Sequence, residues 1–170
     1  MDVEYDTVKV IPLDKVSLMP NSNIIHIKLL YVKSTGKILR AQAIDNSNVD
    51  KRINVLGTLI KMNVPVDDLE DLELCYAQPF GTPKDVVNFA GYAASNRRYG
   101  TFMQVHDYQI RKLVEAGSTI IDISGKEQDE LSHILTAKNI RFEQIRTRIS
   151  EPQKKCCFIY TTEPGWTVTM

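Results

Sequence analysis

A chain of 170 residues with 43% hydrophobic and 25% charged side chains can bury one core, or two small ones, in water. Its 21 basic and 21 acidic side chains give a formal net charge of +0, without the cationic excess that binding a phosphate backbone draws on, so no nucleic-acid partner is expected. No apolar run approaches the roughly 18–20 residues of a membrane span, and Met1-Asp2-Val3-Glu4 is not the basic, apolar start of a signal peptide. The expectation is a cytoplasmic protein with no membrane partner.

In chain order, Val3–Leu13 alternates loosely and reads as a strand ended near Pro12, and Leu18–Asn23 reads as a loop. In Ile24–Val32 the residues Ile25, Ile27, Leu29 and Tyr31 share one face of a strand, with His26 and Lys28 on the other. Lys33–Lys37 turns the chain, Gly36 supplying the left-handed dihedral, into Ile38–Asp45, where Leu39, Ala41 and Ala43 alternate with Arg40 and Gln42. Small Ala41 and Ala43 leave room for a helix, which the spacing places over Val49–Met62 with Asn46, Ser47 or Asn48 as its cap. Val49, Ile53, Leu56 and Ile60 form one stripe; Val55, Leu59 and Met62 form a second, for the rest of the chain or another subunit to cover. Asn63 fits a C-terminal cap, Pro65 stops the helix, and acidic Val66–Leu72 reads as a short surface helix.

The stretch Leu72–Asn96 carries the strongest local signal. Thr82 can cap a helix, Pro83 fits its first position, and Asp85 falls three residues after the cap. Val86, Phe89, Ala90 and Ala93 then recur at helical spacing, with Gly91 and Ala94 as small contact residues. Arg97–Thr101 reads as a link. Beyond it come a helix over Val105–Ala116 stopped by Gly117, a strand at Thr119–Ile123, a short helix at Glu127–Leu131 and a strand at Lys138–Ile140. Helical spacing over Phe142–Ile149 and a strand at Lys155–Tyr160 follow. Strands alternating with short helices predict a parallel α/β sheet. Cys75, Cys156 and Cys157 lack metal-ligand spacing, and adjacent Cys156 and Cys157 would point to opposite faces of a strand, so packing of reduced thiols is expected. His26, His106 and His133 have no i, i+4 partners, and no metal is expected.

Tyr76-Ala77-Gln78-Pro79-Phe80, then Lys84-Asp85-Val86-Val87-Asn88, Gly91-Tyr92 and Asn96, resemble the C-terminal dimerisation domain of the pyridine nucleotide-disulfide oxidoreductases, in the branch of CoA-disulfide reductases and NADH oxidases. Ile27–Asp45, Val49-Asp50-Lys51-Arg52-Ile53 and Val66–Leu74 follow the same pattern. The resemblance implies an α/β protein: an α+β dimerisation domain with a small antiparallel sheet over residues 1–96, a linker at 97–101, and a truncated, degenerate rhodanese-like parallel-sheet module over 102–170. It rests, in the second half, on Ile121-Asp122-Ile123, with Ser124 where arginine is usual, and on Ser132-His133-Ile134 and Ala137-Lys138-Asn139-Ile140.

In that family the dimerisation domain presents a tyrosine, here Tyr76, to the partner's active site. The FAD, NAD(P) and catalytic-cysteine regions have no counterpart, since Gly36, Gly57, Gly81 and Gly91 are isolated and form no GxGxxG turn. A second family tyrosine is unmatched at Met19-Pro20-Asn21-Ser22. Thr161 stands at the rhodanese nucleophile position, and a hydroxyl about six or more pK units less acidic than a thiol carries no persulfide. Glu163 and Pro164 in the loop Thr161–Trp166 also oppose an anion cradle. The expected role is non-catalytic: a homodimer, or a heteromer with a related flavoprotein, joined through Val86, Val87, Phe89, Ala90 and Ala93, with no cofactor of its own. The alternatives are a C-terminal portion of such an oxidoreductase contributing Tyr76 in trans to a CoA-disulfide-reducing flavoenzyme, and a small CoA-thiol or persulfide-binding module using Tyr76 with Cys75.

Overall fold

The strand predicted from alternating Ile25, Ile27, Leu29 and Tyr31 forms the centre of an antiparallel sheet. In this computed structural model, which describes residues 4–101, 103–131, 133–148, 156–162 and 165–169 (the backbone alone for 107, 128, 156–162 and 165–169), β1 (Tyr5–Val10), β2 (His26–Val32) and β3 (Ile38–Ile44) are ordered β1-β2-β3. Gly36 adopts a φ of 72° in the β2–β3 turn. A register shift at Leu30/Tyr31, where Leu30 faces Arg40 and Tyr31 faces Ile38, inserts a bulge into β3.

One face of this sheet is covered by α1 (Val49–Lys61) and α2 (Val86–Arg98). Ile25, Ile27, Leu29, Tyr31 and Val8 from the sheet, Leu56 from α1 and Val86, Val87, Ala90 and Ala94 from α2 make one buried core. Burying each large aliphatic side chain is worth about 1.5–3 kcal/mol. Val55 and Leu59 of the second α1 stripe also pack against this core, whereas Met62 is exposed. Asn63, at φ 59°, closes α1: its amide donates to the Ile60 carbonyl at 3.1 Å, and the Val64 amide donates to Leu59 at 3.0 Å.

The acidic run forms a single 3-10 turn, Val66–Leu69, rather than a surface helix, because Val66 and Leu69 are buried beneath α2. Gly91 permits that approach, since a Cβ there would stand 2.6 Å from Leu69 Cβ. Arg97 and Arg98, assigned to the linker from sequence, are the last turn of α2. Arg97 Nε meets Asp6 Oδ2 at 2.7 Å, and Arg98 pairs with Asp67 and donates to the Ser34 carbonyl at 3.0 Å. These contacts tie the helix end to β1 and the β2–β3 turn.

The chain divides into two compact units, Met1–Thr101 and Phe102–Met170. In the second unit β4 (Gln104–Val105), β5 (Thr119–Asp122), β6 (Lys138–Asn139), β7 (Cys156–Thr162) and β8 (Gly165–Thr169) are ordered β4-β8-β7-β5-β6. β5 runs parallel to β6 and β7, while β8 is antiparallel to β7 and β4, so the sheet is mixed rather than wholly parallel. Helices α3 (Asp107–Glu115) and α4 (Lys126–Leu131) flank β5 in sequence. α3 begins after Val105 because Gln104 and Val105 pair with β8. The helical spacing at Phe142 gives only a 3-10 turn, Phe142–Gln144; Ile149 lies outside the described residues.

Candidate functional site

Leu72 to Lys84 forms an irregular strap across the starts of α1 and α2, fixed from both sides by buried polar side chains. Asn88, in the first turn of α2, donates to the carbonyls of Leu69 at 2.9 Å and Leu72 at 3.0 Å. Its Oδ1 accepts the Asp85 amide at 2.8 Å, and the Asp85 carboxylate accepts the Val87 amide at 3.1 Å. Asp85 is therefore the cap of α2. Thr82, expected in that role, instead donates its hydroxyl to the Lys84 carbonyl.

Asp85 also faces Arg52, which projects from α1 and is almost wholly buried. Arg52 Nη2 stands 3.0 Å from Asp85 Oδ2 and donates to the Asp14 carbonyl at 2.7 Å, while Nη1 donates to the Asn48 carbonyl at 3.1 Å. The buried Asp14 carboxylate accepts the Asn23 amide at 2.9 Å and the Asn48 side-chain amide at 2.8 Å. Asn48 occupies the α1 cap position but makes no side-chain bond to the helix, its amide being committed to Asp14. One arginine thus joins the β1–β2 connection, α1 and α2. Each polar end it meets is satisfied, as a buried charge requires.

Between these elements lies a cleft of about 230 Å³ lined by Lys51, Arg52, Val55, Leu74, Cys75 and Val87. Burial lowers the pKa of Lys51, whose ammonium donates to the Phe80 carbonyl in the strap. Cys75, expected to pack as a reduced thiol, is instead exposed, because it lies on the strap outside the core, next in sequence to Tyr76. Tyr76 is 45% exposed, Phe80 65% and Phe89 41%, with Phe89 edge-on to Tyr92 at 6.3 Å.

The interface set from sequence separates. Val86, Val87 and Ala90 are fully buried in the core of their own chain, so as folded they offer no surface to another copy; Phe89 faces outward and Ala93 is partly buried. Helical periodicity identifies a covered stripe but not what covers it. Thr161 lies within β7, opposite Trp166 of β8, rather than opening a six-residue loop; Glu163 and Pro164 are outside the described residues. At the end of β5, buried Asp122 accepts the Ser124 amide at 2.8 Å and hydroxyl at 2.6 Å. Arg52 was missed as a site residue, although it sits at helical spacing between Val49 and Leu56 on an otherwise apolar face, which is a legible sign of a buried charge. Among the described residues no helix is long and apolar enough to cross a membrane, and no group of three or more His, Cys, Asp or Glu could hold a metal ion.

No family model matches the chain. It is 36% identical over 91 residues, 54% of its length, to the coenzyme A disulfide reductase of Staphylococcus epidermidis, and the match covers 21% of that protein. The chain thus spans about a fifth of the length of the curated relatives it matches. Among solved structures, the reduced Bacillus anthracis CoADR-RHD matches 92% of the chain and 28% of its own at 37% identity and a TM-score of 0.88. An NAD-dependent persulfide reductase from A. fulgidus matches 93% of the chain and 28% of its own at 27% identity and a TM-score of 0.83. In sequence and fold the chain resembles a part of coenzyme A disulfide reductase, and its architecture is mixed α/β.

Proposed function

We propose that the chain is a non-catalytic association module, which forms a homodimer, or pairs with a related flavoprotein, through the strap and the outward side of α2. The observation that carries this reading is the exposure of Tyr76, Phe80 and Phe89 on elements fixed from beneath by the Arg52–Asp85 pair and by Asn88. Aromatic side chains on a rigid base bind at low conformational cost, because little is left to order on association. The second unit is, in this proposal, a rhodanese-like module with Thr161 at the nucleophile position. The module has no flavin or nicotinamide site of its own and works in the cytoplasm.

Sedimentation velocity on the wild type, Phe89→Glu and Phe80→Glu tests the reading. The wild type is expected to sediment as a dimer and each variant as a folded monomer, since both side chains are already in solvent. A monomeric wild type would overturn the self-association reading, and variants that stay dimeric would overturn the strap and α2 as its interface.

A second reading is favoured by the likeness to coenzyme A disulfide reductase combined with the exposure of Tyr76: the chain would lend Tyr76 to the active site of a flavoprotein partner. In that case Tyr76→Phe would lower the coenzyme A disulfide turnover of the mixed complex without changing its mass. An unchanged turnover would remove this reading.

A further inference from the structure

Lys51 and Lys61 stand on the same helix, α1, in different surroundings. Lys61 is exposed in the last turn. Lys51 is half-buried near the start, where its side chain lines the cleft of about 230 Å³ together with Val55, Leu74 and Val87. Those three residues give the cleft apolar walls, and the Lys51 nitrogen reaches the strap, donating to the Phe80 carbonyl. Among the described residues no carboxylate forms an ion pair with Lys51: Asp85 is committed to Arg52, and Asp14 to Asn23 and Asn48. Burial first, and then the Arg52 guanidinium, disfavour its ammonium; Asp85, Asp14 and Asp50 favour it but do not offset this, so its pKa is lowered. A neutral amine needs one N–H to keep the Phe80 carbonyl, and its lone pair is then left for an electrophile in the cleft.

We propose that Lys51 is an acylation site, whose amine takes a short acyl group from an acyl phosphate. The nitrogen attacks the acyl carbon, and an amide N–C bond forms as the C–O bond to phosphate breaks. Phosphate leaves with the electron pair, the nitrogen's proton passes to water, and nothing is oxidised or reduced. A cleft of about 230 Å³ is smaller than the roughly 300–1,000 Å³ of small-molecule sites, which suits an acyl group of few carbons. Acylation of this amine does not depend on association through the strap.

The test is labelling of the full chain with lithium acetyl phosphate at about pH 8, well below the ordinary lysine pKa of about 10.4. Peptide mass spectrometry reads acetylation at Lys51, with Lys61 as the exposed reference on the same helix. Lys51 is expected to react roughly threefold or more faster than Lys61, because a larger share of it is neutral. The ratio should narrow as pH rises toward about 10.4, where an ordinary lysine also gives up its proton. In the chain unfolded in guanidinium chloride the two rates should converge, since the cleft is gone. Leu74→Ala removes one wall and should bring Lys51 toward the Lys61 rate in the folded chain. Equal rates in the folded wild type, a preference for Lys51 that survives unfolding, or one that Leu74→Ala leaves untouched would overturn the proposal.

Discussion

The two units solve the same problem, holding a sheet against helices, with different resources. In the first, buried Ile25, Ile27, Leu29, Leu56, Val87 and Ala90 form a continuous core, and ion pairs pin α2 at both ends: Arg52–Asp85 at its start, Arg97–Asp6 and Arg98–Asp67 at its finish. In the second, among the described side chains, Val105 and Ile120 pack with Ile110, Leu113 and Val114, two of the strands are two residues long, and Leu131, Leu135 and Phe142 are exposed. A substitution will therefore act differently in each unit. In the first unit the polar clamps position a surface, the strap; in the second, the described aliphatic contacts gather around β5.

The largest effect is expected at Arg52. Arg52→Ala strands Asp85 beside the core and should cost roughly 3–5 kcal/mol, visible as an early transition of the first unit in urea followed by near-ultraviolet circular dichroism. Ile120→Ala should cost about 2–4 kcal/mol and act on the second unit instead. If both substitutions shift the same transition equally, the units are not energetically separate.

The Tyr31 hydroxyl, fully buried and donating to the Ala94 carbonyl at 3.4 Å, has its pKa raised from 10.0 to about 12, first by desolvation and then by Asp6. A folded pKa above the unfolded one means that the contribution is fully present below pH 10.0 and is lost as pH rises through about 12. The first unit should therefore weaken by roughly 2–3 kcal/mol across that window. Tyr31→Phe should flatten the dependence in denaturation curves taken from pH 9 upward, a range set by the ordinary tyrosine pKa of about 10. Smallest is Gly91→Ala, whose added methyl meets Leu69 and should cost about 1–3 kcal/mol by pushing the Val66–Leu69 turn off α2; a thermal melt of the variant measures it.

Much of the first unit was legible because its signals are local. Alternation in Ile25–Tyr31, glycine at the β2–β3 turn and asparagine after α1 each report a single backbone requirement, and each was met. The α2 cap was misplaced because Thr82 and Asp85 are both good caps, and tertiary contact with Arg52 favours the second. The outward role given to Val86, Val87 and Ala90 failed because an apolar stripe does not name its cover. In the second unit, strands as short as Gln104–Val105 are too brief to show a period, and β8 went unpredicted, its Gly-Trp-Thr-Val-Thr sequence pairing with both β4 and β7. Of the candidate site, adjacent Cys75 and Tyr76 were legible from sequence. The clamp beneath them was not, since Asp14, Asn48, Arg52 and Asp85 come together only through the packing of three separate elements.

The proposed role of the chain is association through its aromatic strap. Light scattering on the wild-type chain across a hundredfold concentration range tests it most directly. A mass of twice 19.3 kDa that persists on dilution and is lost in Phe89→Glu is expected. A mass of 19.3 kDa at every concentration would contradict self-association and leave pairing with a different chain as the form of the proposal still to be tested.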